Sequence, residues 1–489
     1  MASLSQPHVV IFPFMAQGHT LPLLDLSKAL SRRGIKVTII TTPSNALSIL
    51  LHVKDHPNIH VMEIPFPPVE GLPKGCENTV DLPSMDLYTT FLMATVQLQQ
   101  PFEQILREMS EVGSLPICVI SDFFLGWTAT ACRPFGVPRL VFHGMGVLPM
   151  LICKTLYTNK TYLRSVASDS SSEALVLNLT GQNLPPLKLS QADLPDFTLG
   201  INNCNSFFRF LAEIEQQEWD SWGIIVNSFV ELECEYVPSF ESFYKDGTGA
   251  WCVGPLLLYD EVRNVNKTHI GDPADIYIKW LDEQTESESV IYVSFGTQAN
   301  VSDAQLDEVA FGLEMSGHSF ILVIRSNTWS APDEVEDRVR GRGLILRDWV
   351  DQRRILAHRA TGGFLSHCGW NSVLEGLTMG QPILAWPMIA EQSLNAKFVV
   401  EGLEAGILVP RESTSGEKTV AVRREVLTDG VKELMGGEKG RKARERAKEL
   451  GRMAREAVKE GGSSHKNLSQ LIESLSQLKM KQQTCVKIV

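Results

Sequence analysis

The sequence predicts an α/β protein made of two doubly wound parallel-sheet domains. Three observations predict it. The chain has 489 residues, too many for one ordinary core. Short apolar runs alternate with helical stretches in both halves. Between Tyr259 and Asp275 the sequence turns polar and loses both periodicities, as a linker does. A hydrophobic share of 44% with 21% charged residues is that of a folded globular chain.

The elements follow in order. HVVIFPFM is an apolar run, AQGH a turn, and residues 20 to 33 set Leu23, Leu26 and Leu30 on one helical face. Gly34 stops that helix, and Ile35, Val37 and Ile39 then alternate as a strand does, completing a βαβ unit. PICVIS, RLVFH and GIIVN continue the pattern to about residue 230. From Ser289 it resumes with VIYVSFG, SFILVIR, GLILR, GGFLSH, PILAW and GILV. This divides the chain into a first domain at 1–250, a linker at 251–275, a second domain at 276–462 and a terminal segment at 463–489. Most of the last ninety residues read as charged helix, and blocks of both signs such as EKGRKARERAKELGR suit a solvated face.

The formal charge of -12 speaks against nucleic acid and anionic membrane as partners, because both need a surplus of Lys and Arg on one face. Nine cysteines without a CxxC spacing read as buried thiols in a reducing compartment. The N-terminus has no basic leader region and its apolar run is broken at Pro13, while no run of about eighteen apolar residues occurs anywhere. Cys485 stands one place too far from the end for a prenylation box. The sequons at Asn159, Asn178, Asn266, Asn300 and Asn467 would matter only in a secreted protein. A cytoplasmic monomer is expected.

The most informative stretch runs from Trp349 to Gln392. Its middle is a strand, GGFLSH, that turns at Cys368 and Gly369 into a helix starting near Asn371. Such a junction points free backbone N–H groups at one place, where an anionic phosphate is stabilised without excess positive charge. It is also where open α/β sheets bind ligands. His367 and Ser372 can donate to phosphate oxygens, Glu375 can accept from ribose hydroxyls, and Trp349 offers a flat face to a pyrimidine.

Together these residues resemble the signature box of the plant secondary-product UDP-dependent glycosyltransferases: W first, Q fourth, HCGWNS, E, then WP and a terminal acidic residue followed by Q. The resemblance extends along the whole chain, through QGH, the SD before an aromatic pair, VGPLL and YVSFGT. It implies a GT-B architecture, with the donor in the second domain, the acceptor in the first and the final helix crossing back. It implies uracil stacking by Trp349 and base hydrogen bonding by Gln352. Phosphate contacts would come from His367, Asn371, Ser372 and the loop of Ser294, Gly296 and Thr297, and ribose contacts from Glu375. Sugar hydroxyls would meet Trp370, Glu391 and Gln392, and the Trp370 and Gln392 pair points to UDP-glucose. Asp351 departs from the usual Pro and Glu391 from the more frequent Asp.

Glycosyl transfer to a hydroxyl with inversion needs a base, and histidine suits it because its pKa lies near neutrality. His19, in the loop after the first strand, is that base by its match to QGH. Asp122, at the end of PICVIS, matches the carboxylate that orients it, although an Asp after a strand is by itself a common helix cap. No Asp-x-Asp that would hold a cation on a diphosphate occurs, so no metal and no cofactor are expected; UDP-glucose is a co-substrate. Phe14, Met85, Phe124 and Met145 are candidates for an acceptor wall, although each reads more readily as ordinary core. Loops at 60–90 and 155–200 are expected to choose the acceptor. A flavonoid or similar phenol is the expected acceptor by analogy with the family.

Two other readings share this site: transfer of glucose to a ring carbon of a phenol, and a catalytically silent nucleotide-sugar binder, which would have lost His19 or Asp122. A nicotinamide oxidoreductase would require GxGxxG between a strand and a helix, and the chain has none.

Overall fold

The computed structural model describes residues 6–158, 175–177, 187–190, 193–195, 206–244, 248–260, 274–299, 301–326, 328–347, 349–410 and 422–486. The sequons at Asn159, Asn178, Asn266 and Asn300, most of the 155–200 segment and linker residues 261–273 lie outside the described residues.

The first sheet has seven parallel strands: β1 (His8–Phe12), β2 (Lys36–Thr41), β3 (Ile59–Glu63), β4 (Cys118–Asp122), β5 (Arg139–His143), then β8 (Gly223–Val226) and β9 (Gly249–Cys252), in the order β3-β2-β1-β4-β5-β8-β9. A separate antiparallel hairpin pairs β6 (Leu175–Leu177) with β7 (Leu187–Leu189). The second sheet has six parallel strands: β10 (Val290–Ser294), β11 (Ser319–Val323), β12 (Gly343–Leu346), β13 (Thr361–Ser366), β14 (Ile383–Ala385) and β15 (Gly406–Leu408), in the order β12-β11-β10-β13-β14-β15. Both are the doubly wound arrangement expected, since central strands buried on both faces read as continuous apolar runs.

Strand order fixes where ligands can bind. In each sheet the winding reverses between two neighbours, β1 and β4 in the first, β10 and β13 in the second. The connections after those strands leave in opposite directions and open a crevice at their carboxyl ends. His19, just after β1, and the HCGWNS segment, just after β13, both fall there.

The last helix, Ser463–Val486, buries Leu468, Leu471 and Leu475 in the core of the first sheet beside Leu23 and Leu26, so the chain end returns to the first domain. Oγ of Ser464 donates to the Gly254 carbonyl and the Asn467 amide to that of Cys252, at 2.5 and 3.0 Å. The charged helix Glu438–Val458 is more than a solvated face: Ala443, Ala447, Leu450, Gly451 and Ala454 form a buried stripe, and Gly451 lies so close to the Leu377 and Thr378 carbonyls that a Cβ would fall within 2.9 Å of both. Small residues there let two helices approach, and the charges occupy the remaining circumference.

Candidate active site

A cleft of about 1430 Å³ runs between the two sheets' carboxyl ends. His19, Ser294, Gly296, Thr297, Trp349, Gln352, His367, Trp370, Asn371, Ser372, Glu375, Glu391 and Gln392 all line it, as do Met85, Phe124 and Met145.

On the first domain, β1 ends at Phe12 and the helix Gln17–Arg32 begins almost at once, so His19 lies in the first helical turn and not in a loop. Asp122 ends β4, the neighbour of β1, and is fully buried. The strand pairing therefore brings together two residues 103 positions apart: Nδ1–H of His19 donates to Oδ2 of Asp122 at 2.8 Å. Oδ1 of Asp122 meanwhile accepts the backbone N–H of Phe124 at 2.9 Å, so one carboxylate both caps the next turn and orients the ring. Burial disfavours a charged His19, yet the charge and hydrogen bond of Asp122, with Glu391 behind them, hold its pKa above the ordinary value. Nδ1 is occupied, which leaves Nε2 as the nitrogen able to take a proton.

Phe14 does not line the cleft. It is fully buried, and its ring meets that of His19 edge-on at 5.3 Å. Its place behind the imidazole makes it a support for His19 and removes it from the acceptor wall. Phe124 lines the cleft with its ring 5.4 Å from that of His19. Tyr88, which the sequence did not single out, lines it too, and burial raises its hydroxyl pKa well above the ordinary value.

On the second domain, β13 ends at Ser366 and the helix Trp370–Thr378 starts after Gly369. The turn is tight enough to put Cys368, a non-glycine residue, at φ 64°, and the Asn395 amide fixes its carbonyl at 2.9 Å. Ala390, next to Glu391, has φ 54°. Backbone held in this region costs about 1–3 kcal/mol per residue and persists where the surroundings enforce it. The first N–H groups of the helix are left without intrahelical acceptors and face the cleft. Burial, only partly offset by the Ser294 backbone, pushes His367 down to about 4, so its imidazole is neutral and still has an N–H to donate.

The polar groups on the second domain's side of the cleft are already engaged with one another. The Gln352 amide donates to Oε2 of Glu375 at 2.6 Å and to Oγ of Ser372 at 3.1 Å. Asp351 acts as N-cap of the helix Gln352–Leu356, accepting from the N–H of Arg354, and gives its own N–H to the Tyr277 hydroxyl at 3.0 Å. That is the physical content of the departure from Pro, which has no N–H. Oε1 of Gln392 accepts the N–H groups of Met388 and Ile389 at 2.9 and 3.0 Å. Burial raises the pKa of Glu391, whose side chain also takes the Asn395 amide at 3.2 Å.

Two expected contacts take another form. Trp370 is 2% exposed and its indole N–H donates to the Asn227 carbonyl of the first domain at 2.8 Å, so it has no side-chain donor left for a sugar. The Asn371 amide donates to the Gly18 carbonyl at 2.5 Å, across the cleft, and not into an open phosphate pocket. Both are contacts between residues far apart in sequence, which no local pattern signals. Trp349, 53% exposed, keeps a free face on the cleft. Among the described residues, no three His, Cys, Asp or Glu side chains converge as metal ligands, and no helix is long and apolar enough to cross a membrane.

Comparisons with known proteins show the family and the fold. Residues 256–435 match the family described as UDP-glucoronosyl and UDP-glucosyl transferase, and residues 5–135 match a glycosyltransferase N-terminal domain. The chain is 39% identical to UDP-glycosyltransferase 90A1 of Arabidopsis thaliana, with 96% of each covered. It is 37% identical to a scopoletin glucosyltransferase of Nicotiana tabacum, with 97% of this chain and 98% of the relative covered. Among solved structures, it superposes on Glycyrrhiza uralensis UGT73P12 complexed with glycyrrhetinic acid 3-O-monoglucuronide with a TM-score of 0.86, 30% identity and 99% and 98% coverage. Phytolacca americana UGT2 complexed with UDP-2fluoro-glucose and pterostilbene gives 0.77, with 27% identity and 96% and 100% coverage. With relatives this similar over nearly their full length, the GT-B fold is established and the chain belongs to the plant family 1 UDP-glycosyltransferases.

Proposed function

We propose that the protein is an inverting, metal-independent glucosyltransferase that moves glucose from UDP-glucose to a hydroxyl of a small phenolic acceptor such as a flavonoid. The observation that carries this reading is the His19–Asp122 pair at 2.8 Å on the wall of a cleft shared with the donor box. Nε2 of His19 takes the acceptor O–H proton while the oxygen bonds to the anomeric carbon. The bond from that carbon to the diphosphate breaks, and UDP leaves from the opposite face. Asp122 holds the tautomer and stabilises the imidazolium. Negative charge growing on UDP meets the N-terminus of the helix Trp370–Thr378 and the neutral donor His367. Trp349 stacks on uracil and Glu375 takes the ribose hydroxyls. With its oxygen engaged, Gln392 offers its NH2 group to the sugar, and Glu391 offers the carboxylate. Trp370 contributes backbone and ring edge only.

Relatives support the substrate classes: one is named a scopoletin glucosyltransferase, and one structure holds a fluorinated UDP-glucose with a stilbene. The test is mass spectrometry of the purified protein with UDP-glucose, a panel of flavonoids and simple phenols, and EDTA. A product heavier by one hexose, absent with His19→Ala, is the expected result. UDP-glucose consumption that survives in His19→Ala at the wild-type rate would sink the mechanism, and loss of activity with EDTA would sink metal independence.

A further inference from the structure

Arg353 follows Gln352 in the donor box, and neither its position nor the reaction as proposed gives it a task. Its guanidinium spans the cleft. Nη2 donates to Oδ2 of Asp25 on the first domain at 2.7 Å, and Nε donates to Oε1 of Glu375 on the second at 3.0 Å. Asp25 lies on the helix that carries His19 in its first turn, and Glu375 on the helix whose N-terminus faces the phosphate position. Both carboxylates are largely buried, with side chains 5% and 11% exposed. Lys28 approaches the other oxygen of Asp25 only to 4.0 Å and is engaged by Asp260 at 2.7 Å. Arg353 is therefore the close partner of Asp25 and one of two donors to Glu375.

The two donors to Glu375 differ in kind. Gln352 is a neutral amide on Oε2, and a ribose hydroxyl arriving there can replace it. Arg353 on Oε1 is a planar cation fixed at its other end by Asp25, and burial has not lowered its pKa because the two carboxylates outweigh it. A charge-assisted bond from a cation that is itself fixed anchors one carboxylate oxygen and so confines where the second can lie.

Resting on the donor-site reading above, we propose that Arg353 is a positioning residue: it orients Glu375 for the ribose hydroxyls and, through Asp25, makes that orientation depend on closure of the first domain over the donor. By reciprocity, a donor that engages Glu375 favours the closed cleft, and one lacking a ribose hydroxyl favours it less. Asp25, which touches no part of the nucleotide in this scheme, should then affect which sugar the nucleotide carries at its base end.

The test is calorimetric affinity of the full-length chain for UDP and for 2′-deoxy-UDP, in the wild type and in Arg353→Ala, Arg353→Lys and Asp25→Asn. The wild type is expected to prefer UDP by about tenfold, the worth of one hydrogen bond to a charged group. The preference should fall to within about threefold in both Arg353→Ala and Asp25→Asn and recover in part with Arg353→Lys. The KM for UDP-glucose should rise more than kcat falls. Arg353→Ala and Asp25→Asn that keep the wild-type ratio would overturn the inference while leaving the donor site intact. A ratio lost in Arg353→Ala but kept in Asp25→Asn would overturn its interdomain half. A wild type that binds neither nucleotide would overturn the donor-site reading itself, and this inference with it.

Discussion

The carbonyl of Gly18 accepts the side-chain amide of Asn371 at 2.5 Å, joining the turn that carries His19 to the helix that faces the phosphate position. The bond has a local cause. Pro22 lies inside the helix Gln17–Arg32 and lacks the N–H that would ordinarily bond to the residue four places back, which is Gly18. A gap in the helical ladder of one domain is thus filled by a side chain of the other. Asn371→Ala should lower kcat/KM by about 3- to 10-fold, the net worth of one hydrogen bond. Pro22→Ala should act oppositely on two measurements. It returns an N–H to the ladder and so keeps or raises the melting temperature, while kcat/KM falls because Gly18 gains an intrahelical donor that competes with Asn371. A Pro22→Ala protein of full activity would show that the interdomain bond is dispensable.

In the proposed transfer His19 must be neutral to accept a proton, and its pKa is held above the ordinary 6.5 chiefly by Asp122, against burial. The acid limb of kcat/KM is therefore expected above pH 6.5, with activity lost as pH falls through it. Asp122→Asn removes the main raising influence and leaves burial, so the limb should move to lower pH even as kcat drops by about 10²-fold or more. His19→Ala should lose about 10²- to 10⁴-fold. An acid limb that stays in place in Asp122→Asn would assign it to another group, of which Glu391 is the nearest candidate.

Much of this was legible in the sequence, and the limits have physical reasons. Strands buried on both faces, such as Arg139–His143 and Val290–Ser294, announce themselves as apolar runs. Ile59–Glu63 and Gly249–Cys252 did not, because as the two edge strands of the first sheet they are partly exposed and carry no clean alternation. The box from Trp349 to Gln392 was readable as a set of residue types, but its internal wiring was not. The engagement of Trp370 with Asn227 spans 143 positions and that of Arg353 with Asp25 spans 328, and only the approach of one domain to the other creates them. Phe14 illustrates the converse error: an aromatic next to a candidate base can lie behind it.

The first domain's side of the cleft contains an ion cluster that no sequence pattern announces. Lys154 donates to Glu215 at 2.7 Å and to Glu218 at 3.0 Å, while His143 and Tyr244 also bond to Glu218. Burial opposes ionisation of Glu218, but Lys154 and His143 outweigh it and hold its pKa well below the usual range. Lys154→Met would leave the fully buried Glu218 and the partly buried Glu215 without that cation, and a loss of about 3–5 kcal/mol in unfolding free energy is expected from denaturant titration. The companion change Glu218→Gln in the same chain should recover part of it, because the unpaired charge is then gone. A single-variant loss below about 1 kcal/mol would mean that water reaches the cluster.

Gly296 tests how closely the phosphate position is built. It has φ 74°, where a side chain is strained, and a Cβ placed on it would lie 2.6 Å from Nε2 of His367. Gly369, on the other side, would place its Cβ 2.7 Å from the same atom. The imidazole is therefore clamped between two glycines from the loops that follow β10 and β13, the strands flanking the reversal of the second sheet. Gly296→Ala must push His367 away or bend the loop, and either displaces a phosphate donor without changing a charge. The KM for UDP-glucose should rise by about tenfold or more, with a stability loss of about 1–3 kcal/mol from the backbone alone. His367→Ala removes the donor but also the clash, so Gly296→Ala added to His367→Ala should cost little further in KM. Additive effects of the two changes would mean that the loop after β10 binds phosphate by its own backbone and that the imidazole is only its neighbour.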